Sequence, residues 1–251
     1  MNKYVNDFLL MFQFLTRIPV NISLKCEKEN FKRGAMFLPL VGFIVGGIQW
    51  LVYMLFFKVS SLGIAAIFAV LSGILVTGAL HVDGLGDTCD GFYAFKGKDR
   101  IIEIMKDSRI GTFACIAIVL DIMLKVNSLA YASQYSTALI IIAVPVISKF
   151  SIVLLSFVGK PAKSTGSGNL FVGNMSGIVV SISAFIATAI IYIMLGLKVT
   201  AAMFITAVII TLLVNKYSES KINGLTGDLL GANNEIVEIF VMLVYIALYK
   251  F

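Results

Sequence analysis

Charge is what this chain of 251 residues has least of. Asp, Glu, Lys and Arg make up 14% of it, where an ordinary soluble domain carries about 25%. That shortage excludes a water-solvated globule, because too few polar side chains exist to cover one. Cysteine is scarce as well. Cys26, Cys89 and Cys115 form no CxxC pair, so neither a zinc site nor a disulfide framework is indicated. Histidine occurs once, as His81. The N-terminal apolar stretch FLLMFQFL is flanked by Asp7 and Arg17, with no small-residue cleavage site after it, which makes it a poor signal peptide. No low-complexity tract or internal repeat is visible.

What is there is apolar: 59% of residues are hydrophobic and mean hydropathy is +0.96. Seven runs are long and apolar enough to cross a bilayer, at about 36–57, 62–80, 110–125, 138–158, 176–195, 199–214 and 236–250, since one crossing takes about 20 residues. The expected fold is all-α, a polytopic integral membrane helix bundle of about seven transmembrane helices in one domain, 1–251. Residues 1–35 form a cytoplasmic or interfacial N-terminal segment. In it Phe8, Met11, Phe12 and Leu15 recur at helical spacing, which fits an interfacial helix. Lys58–Ser61 and Gly196–Lys198 are short enough to close tight helical hairpins.

The net charge is +6. In a membrane protein such an excess marks the cytoplasmic face and anionic lipid rather than nucleic acid. Segments 1–35, 81–109, 159–175 and 215–235 hold fifteen of the twenty basic residues; Lys149 lies in a run, and Lys58, Lys125, Lys198 and Lys250 fall at the opposite margins. The expected topology is therefore N-terminus cytoplasmic, seven crossings, C-terminus outside. Every acid except Asp121 lies before, between or beside the cytoplasmic ends, so the chemistry is expected at that face of the cell membrane.

The run HVDGLGDTCDG, residues 81–91, follows an uncharged span directly. Asp83, Asp87 and Asp90 stand at i, i+4 and i+7, one face of a helix. Three clustered carboxylates repel unless a cation sits among them, and all-oxygen donors suit Mg²⁺, Mn²⁺ or Ca²⁺. Helix capping, the plainer alternative, explains one Asp rather than three in phase. His81 is either a helix-end polar residue or a base or substrate contact.

A second cluster follows in KDRIIEIMKDSRIGT, residues 98–112. Glu103 and Asp107 sit among Arg100, Lys106 and Arg109. Acids for a metal beside cations for phosphate oxygens make a phosphoryl-transfer set; surface ion pairs are the alternative. In NGLTGDLLGANNEIVE, residues 223–238, Asp228, Glu235 and Glu238 follow loosening glycines. These acids either act on metal or substrate, or favour a helix N-terminus. The turn GKPAKSTGSGNLFVG, residues 159–173, offers Lys160, Lys163 and Asn169 to a phosphate, yet no Gly-Lys-Ser/Thr closes a Walker loop. A flexible linker fits it equally.

HVDGLGDTCDG, MKDSRIGT and TGDLLGANNE, in that order between spans, resemble the cobalamin synthase (adenosylcobinamide-GDP ribazoletransferase) family, as do FLTRIPV at 14–20 and RGAMFLPLVG at 33–42. The resemblance covers about residues 8–240. It implies a transferase of cobalamin biosynthesis. In that reaction a hydroxyl of α-ribazole, or of its 5′-phosphate, attacks the cobinamide-side phosphorus of adenosylcobinamide-GDP. GMP leaves, and adenosylcobalamin or its 5′-phosphate forms, with Mg²⁺ as cofactor. It further implies Asp83, Asp87, Asp90 and Asp107 as metal ligands. Asp87, Asp90, Asp107 and His81 would be catalytic, and Lys106, Arg109, Arg100, Arg33, Asn169, Asp228 and Glu235 would bind substrate. Lys149 stands where the family commonly has Arg. A looser likeness links Asp87-x-x-Asp90-Gly91-x-x-Ala94 to the CDP-alcohol phosphotransferases, with Phe95 where those have Arg. Implied partners are the two substrates, membrane lipid, further copies of the chain and other enzymes of the cobalamin pathway. The rival class is a cation-coupled transporter using the aspartates, which the one-sided acids and the absence of an inverted repeat disfavour.

Overall fold

A computed structural model describes residues 1–134, 138–163 and 166–250. It is all-helical apart from turns and one isolated bridge, Pro161 to Leu225. The centre is α8, Ile140–Val158. A helix apolar on every side belongs in the middle of a bundle, and nearly all of α8 is buried. Around it pack α3 (Leu38–Phe57), α9 (Gly177–Ile222) and α10 (Gly227–Lys250). Outside these, α4 (Leu62–Thr77) lies on α3, and α7 (Thr112–Ala132) on α4 and α10. Exposed Leu51, Leu75, Ile116, Val119, Phe185, Ile193 and Ile205 give the outer surface an apolar belt.

Contact between α3 and α8 is backbone to backbone, as small-residue spacing permits. A Cβ on Gly42 would strike the Pro145 carbonyl, and one on Gly46 would lie 2.8 Å from the Ile142 Cα. Gly47, the next residue, has no heavy atom within 4 Å of such a position. Gly46→Val is therefore expected to destabilise the bundle by about 1–3 kcal/mol through overpacking, and Gly47→Val by under about 0.5 kcal/mol. Thermal unfolding in detergent reads both; equal midpoints would contradict this packing.

Among the described residues, five helices are long and apolar enough to cross a membrane, and the bent pair of α4 with α5 (Leu80–Phe92) makes six. The further expected crossing falls inside α9. As one straight rod its 46 residues would run about 69 Å, over twice the thickness of a hydrocarbon core, about 30 Å. Instead the helix breaks at Gly196, where φ is 77° and ψ 174°, a conformation glycine reaches freely. Val179 and Ile222, near its two ends, join one core cluster with Phe31 and Phe92. Gly196 lies beside Leu248 and Tyr249, at the far end of α10. The chain thus doubles back at Gly196, as the short linker there requires.

Three expected bounds change. The span expected over 62–80 ends at Thr77, and the aspartates lie on a separate helix. Gly78 and Ala79 adopt left-handed conformations, φ 62° and 59°, and α5 (Leu80–Phe92) leaves α4 at 88°. The last helix begins at Gly227 rather than 236, and α7 continues to Ala132. Lys125, Glu235 and Glu238 are therefore interior rather than marginal. The N-terminal helix α1 (Lys3–Leu15) forms as expected. Its apolar face, with Met11 and Leu15, packs on Phe31, Ala35 and Met36 of α2 (Lys28–Gly34) and the turn after it.

Candidate functional site

The site is built where α5 crosses the first turns of α10. The crossing needs two glycines. A Cβ on Gly84 would lie 2.6 Å from the Asp228 carbonyl oxygen, and one on Gly231 3.1 Å from the His81 Cα. This close approach carries Asp228 to α5, so that Asp87 feels the charges of Asp83, Asp228 and Asp90. Among the described residues, Asp83, Asp87 and Asp228 form no ion pair. Thr226 Oγ1 donates to Asp228 Oδ2 at 3.1 Å.

Asp90 is differently engaged. Gly111 N–H donates to its Oδ2 at 2.6 Å and Ala114 N–H to its Oδ1 at 2.8 Å. It caps α7 from 21 residues away, satisfying N–H groups that a helix start leaves unpaired. The C-terminal end of α5 is closed beside it by Lys221, whose Nζ donates to the Phe92 carbonyl at 3.4 Å.

Two cavities meet at Gly168, Gly227 and Asp228. The first, about 650 Å³, has Asp83, Asp228 and His81 among apolar walls that include Phe14, Phe171 and Leu230. The second, about 680 Å³, is lined by Lys106, Lys163, Asn169, Thr226 and Asp228. The loop bearing Lys163 and Asn169 is held to the start of α10 by the Pro161–Leu225 bridge, in which Ala162 N–H donates to the Leu225 carbonyl at 2.9 Å and Leu225 N–H to the Lys160 carbonyl at 2.8 Å. Asn169 Nδ2 donates to the Lys163 carbonyl at 3.0 Å. Ser164 and Thr165 of this turn lie outside the described residues. Burial and the neighbouring Lys106 ammonium push the Lys163 ammonium below its usual pKa. An anion between the two lysines would relieve that repulsion.

The remaining expected residues are placed elsewhere. Arg109 clamps Asp107 through Nη2 and Nε, at 2.6 and 3.0 Å. That hydrogen-bonded pair holds the Asp107 carboxyl down at about 2, which makes it a poor proton acceptor near neutrality. Arg100 pairs with Glu103 at 2.7 Å on an exposed helix, α6 (Lys98–Ile104). Arg33 pairs with Asp7, to which Asn30 Nδ2 also donates at 2.7 Å. This buried acid ties α1 to α2.

Glu235 lies behind the site in a network that the sequence did not suggest. Lys125 of α7 pairs with Glu235, with Glu238 at 3.0 Å and with Asp121 at 3.4 Å. Lys149 Nζ donates to Asn234 Oδ1 at 2.7 Å, and Ser148 Oγ to Glu238 Oε1 at 2.9 Å. Part of this network lines a cavity of about 620 Å³ together with His81. His81 stands between this cavity and the apolar one, and its Nε2 is buried without a partner among the described residues.

Among the described residues, no three His, Cys, Asp or Glu side chains converge tightly enough to hold a metal ion as they stand. The donor chemistry nevertheless fits a hard divalent cation. Asp83, Asp87 and Asp228 offer only oxygen, and their mutual charge favours one. Asp90 and Asp107 already have other partners.

A family model described as Cobalamin-5-phosphate synthase matches residues 7–246. Proteins named adenosylcobinamide-GDP ribazoletransferase are similar along nearly their whole length. The one from Clostridium kluyveri is 53% identical over 244 residues, 96% of each chain. Those from Clostridium tetani and Clostridium botulinum are 49% and 46% identical, the first covering 98% of each chain and the second 97% of this chain and 98% of its own. No solved structure matches significantly.

Proposed function

This chain belongs to the cobalamin-5-phosphate synthase family, and from that premise we propose the reaction its two joined cavities perform. It is an adenosylcobinamide-GDP ribazoletransferase, embedded in the cell membrane with the α5–α10 crossing facing the cytoplasm. A hydroxyl of α-ribazole or its 5′-phosphate attacks the cobinamide-side phosphorus of adenosylcobinamide-GDP. The new P–O bond forms as the bond to the bridging diphosphate oxygen breaks, and GMP leaves. The observation that carries this reading is the meeting of carboxylates and lysines at Asp228, where the apolar and basic cavities share a wall.

Lys106 and Lys163 bind the diphosphate and offset charge moving onto the departing GMP. Asn169 holds the backbone that presents Lys163. Asp83, Asp87 and Asp228 would hold Mg²⁺, which supplies Lewis-acid polarisation of the phosphoryl oxygens when bound. Asp83 also lines the acceptor side. His81 Nε2, unpartnered on the same wall among the described residues, orients the hydroxyl and takes its proton.

The test is GMP release by the purified protein in lipid, with adenosylcobinamide-GDP, α-ribazole and Mg²⁺. Metal-dependent GMP together with a cobamide product is expected, and chelator abolishes both. Folded protein that yields no GMP with either acceptor form would overturn the assignment. Lys163→Met is expected to raise KM for the GDP-bearing donor roughly tenfold or more, the loss of one charge-assisted contact. An unchanged donor KM would remove Lys163 from the diphosphate site.

A further inference from the structure

The apolar cavity has a feature that phosphoryl transfer does not use. Phe14 of α1 and Phe171 face each other with ring centroids 5.6 Å apart and planes tilted by 44°. Phe31 meets both edge-on, at 5.5 and 5.7 Å. Phe171 is buried, whereas Phe14 is 38% exposed. Both Phe14 and Phe171 line the cavity. Its carboxylates, Asp83 and Asp228, belong to the α5–α10 crossing. An occupant suited to these walls is flat and aromatic at one end and rich in hydroxyls at the other.

We propose that Phe14 and Phe171 form the binding site for the aromatic base of the nucleoside acceptor, whose ribose then reaches Asp83 and Asp228. This rests on the transferase reading and deepens it, because it divides the site. The base and ribose of the acceptor occupy the Phe14 cavity, and the diphosphate of the donor occupies the Lys106–Lys163 cavity. The reacting hydroxyl and phosphorus meet at the shared wall of Gly227 and Asp228. Specificity for the base is then set by α1, a helix outside the bundle, through a ring face that accepts any flat heterocycle of suitable size.

Equilibrium binding of α-ribazole alone to the full-length protein in lipid tests this without turnover. Phe14→Ala and Phe14→Leu are expected to weaken binding on the order of tenfold, as loss of one stacking ring does. Phe14→Trp keeps a ring face and retains binding within about threefold by the same stacking argument. Leu fills much of the same space, so a loss in Leu with rescue in Trp separates stacking from folding. In turnover, Phe14→Leu raises KM for α-ribazole and leaves KM for adenosylcobinamide-GDP unchanged, the reverse of Lys163→Met. Equal affinity of wild type and Phe14→Leu for α-ribazole overturns the proposal, as does a wild type that binds none, which would leave the cavity to a lipid chain. Phe14-dependent binding in a wild-type protein that releases no GMP would overturn the transferase reading and leave the base site standing.

Discussion

Asp87→Asn is expected to lower GMP release by roughly 10²–10³-fold or more, the scale of losing one group that stabilises transition-state charge, with no change in membrane insertion or thermal midpoint. Asp87 is half-buried on α5 among the charges of Asp83, Asp90 and Asp228, and forms no ion pair among the described residues. Asn keeps the shape and removes the charge that a divalent cation needs. Nothing in the fold depends on that charge. Asp90→Ala should behave in the opposite sense. Its carboxylate caps α7 through Gly111 and Ala114, so its loss costs about 0.5–2 kcal/mol of stability, seen as a lower unfolding midpoint. Assays at saturating and limiting Mg²⁺ complete the comparison. If Asp87→Asn turned over normally, the cation site would have to be moved away from α5.

This contrast marks how far the sequence could be read. The phased aspartates, the all-helical bundle and the turn at Gly196 follow from local pattern, because periodicity and a glycine linker are properties of neighbouring residues. Long-range partners are not. Nothing near Asp90 says that its acceptors will be used 21 and 24 residues later. Nothing near Arg33 says that Asp7 will take its guanidinium. The 88° turn before α5 depends partly on Ala79 in a left-handed conformation, which is uncommon without a glycine. Lys163 was visible as one end of a glycine-rich turn, and Lys106 as one charge of a second cluster. The strand-like bridge at Leu225 and the packing of Gly168 on Gly227 bring that turn to α10. The one-sided placement of acids, used against a transporter, also needs amendment, since Glu235 and Glu238 lie inside the bundle. Their pairing with Lys125 makes them a fixed tie between α7 and α10, not a vacant ion path.

That tie yields the second large effect. Lys125→Met is expected to destabilise the protein by about 3–5 kcal/mol, the cost of leaving buried carboxylates without their cation. The Lys125 side chain is 8% exposed, and its partners Asp121, Glu235 and Glu238 are 1%, 5% and 13% exposed. Among the described residues the Asp121 carboxylate oxygens have no hydrogen-bond partner, and Lys125 at 3.4 Å is the cation paired with them. Removing Glu235 as well should recover part of the loss. In Lys125→Met/Glu235→Gln one buried charge of each sign is gone, and coupled neighbours of this kind interact by about 0.5–3 kcal/mol. The double variant should therefore unfold later than Lys125→Met alone. Activity is expected to fall with stability in the single variant, because Glu235 lies two turns after Asp228 on α10 and its anchor on α7 holds that helix against α5. Denaturant or thermal unfolding in lipid, run beside GMP release, separates the two readouts. A Lys125→Met protein within about 1 kcal/mol of wild type would mean that the acids are neutral where they stand, and the network would then be a set of hydrogen bonds rather than of charges.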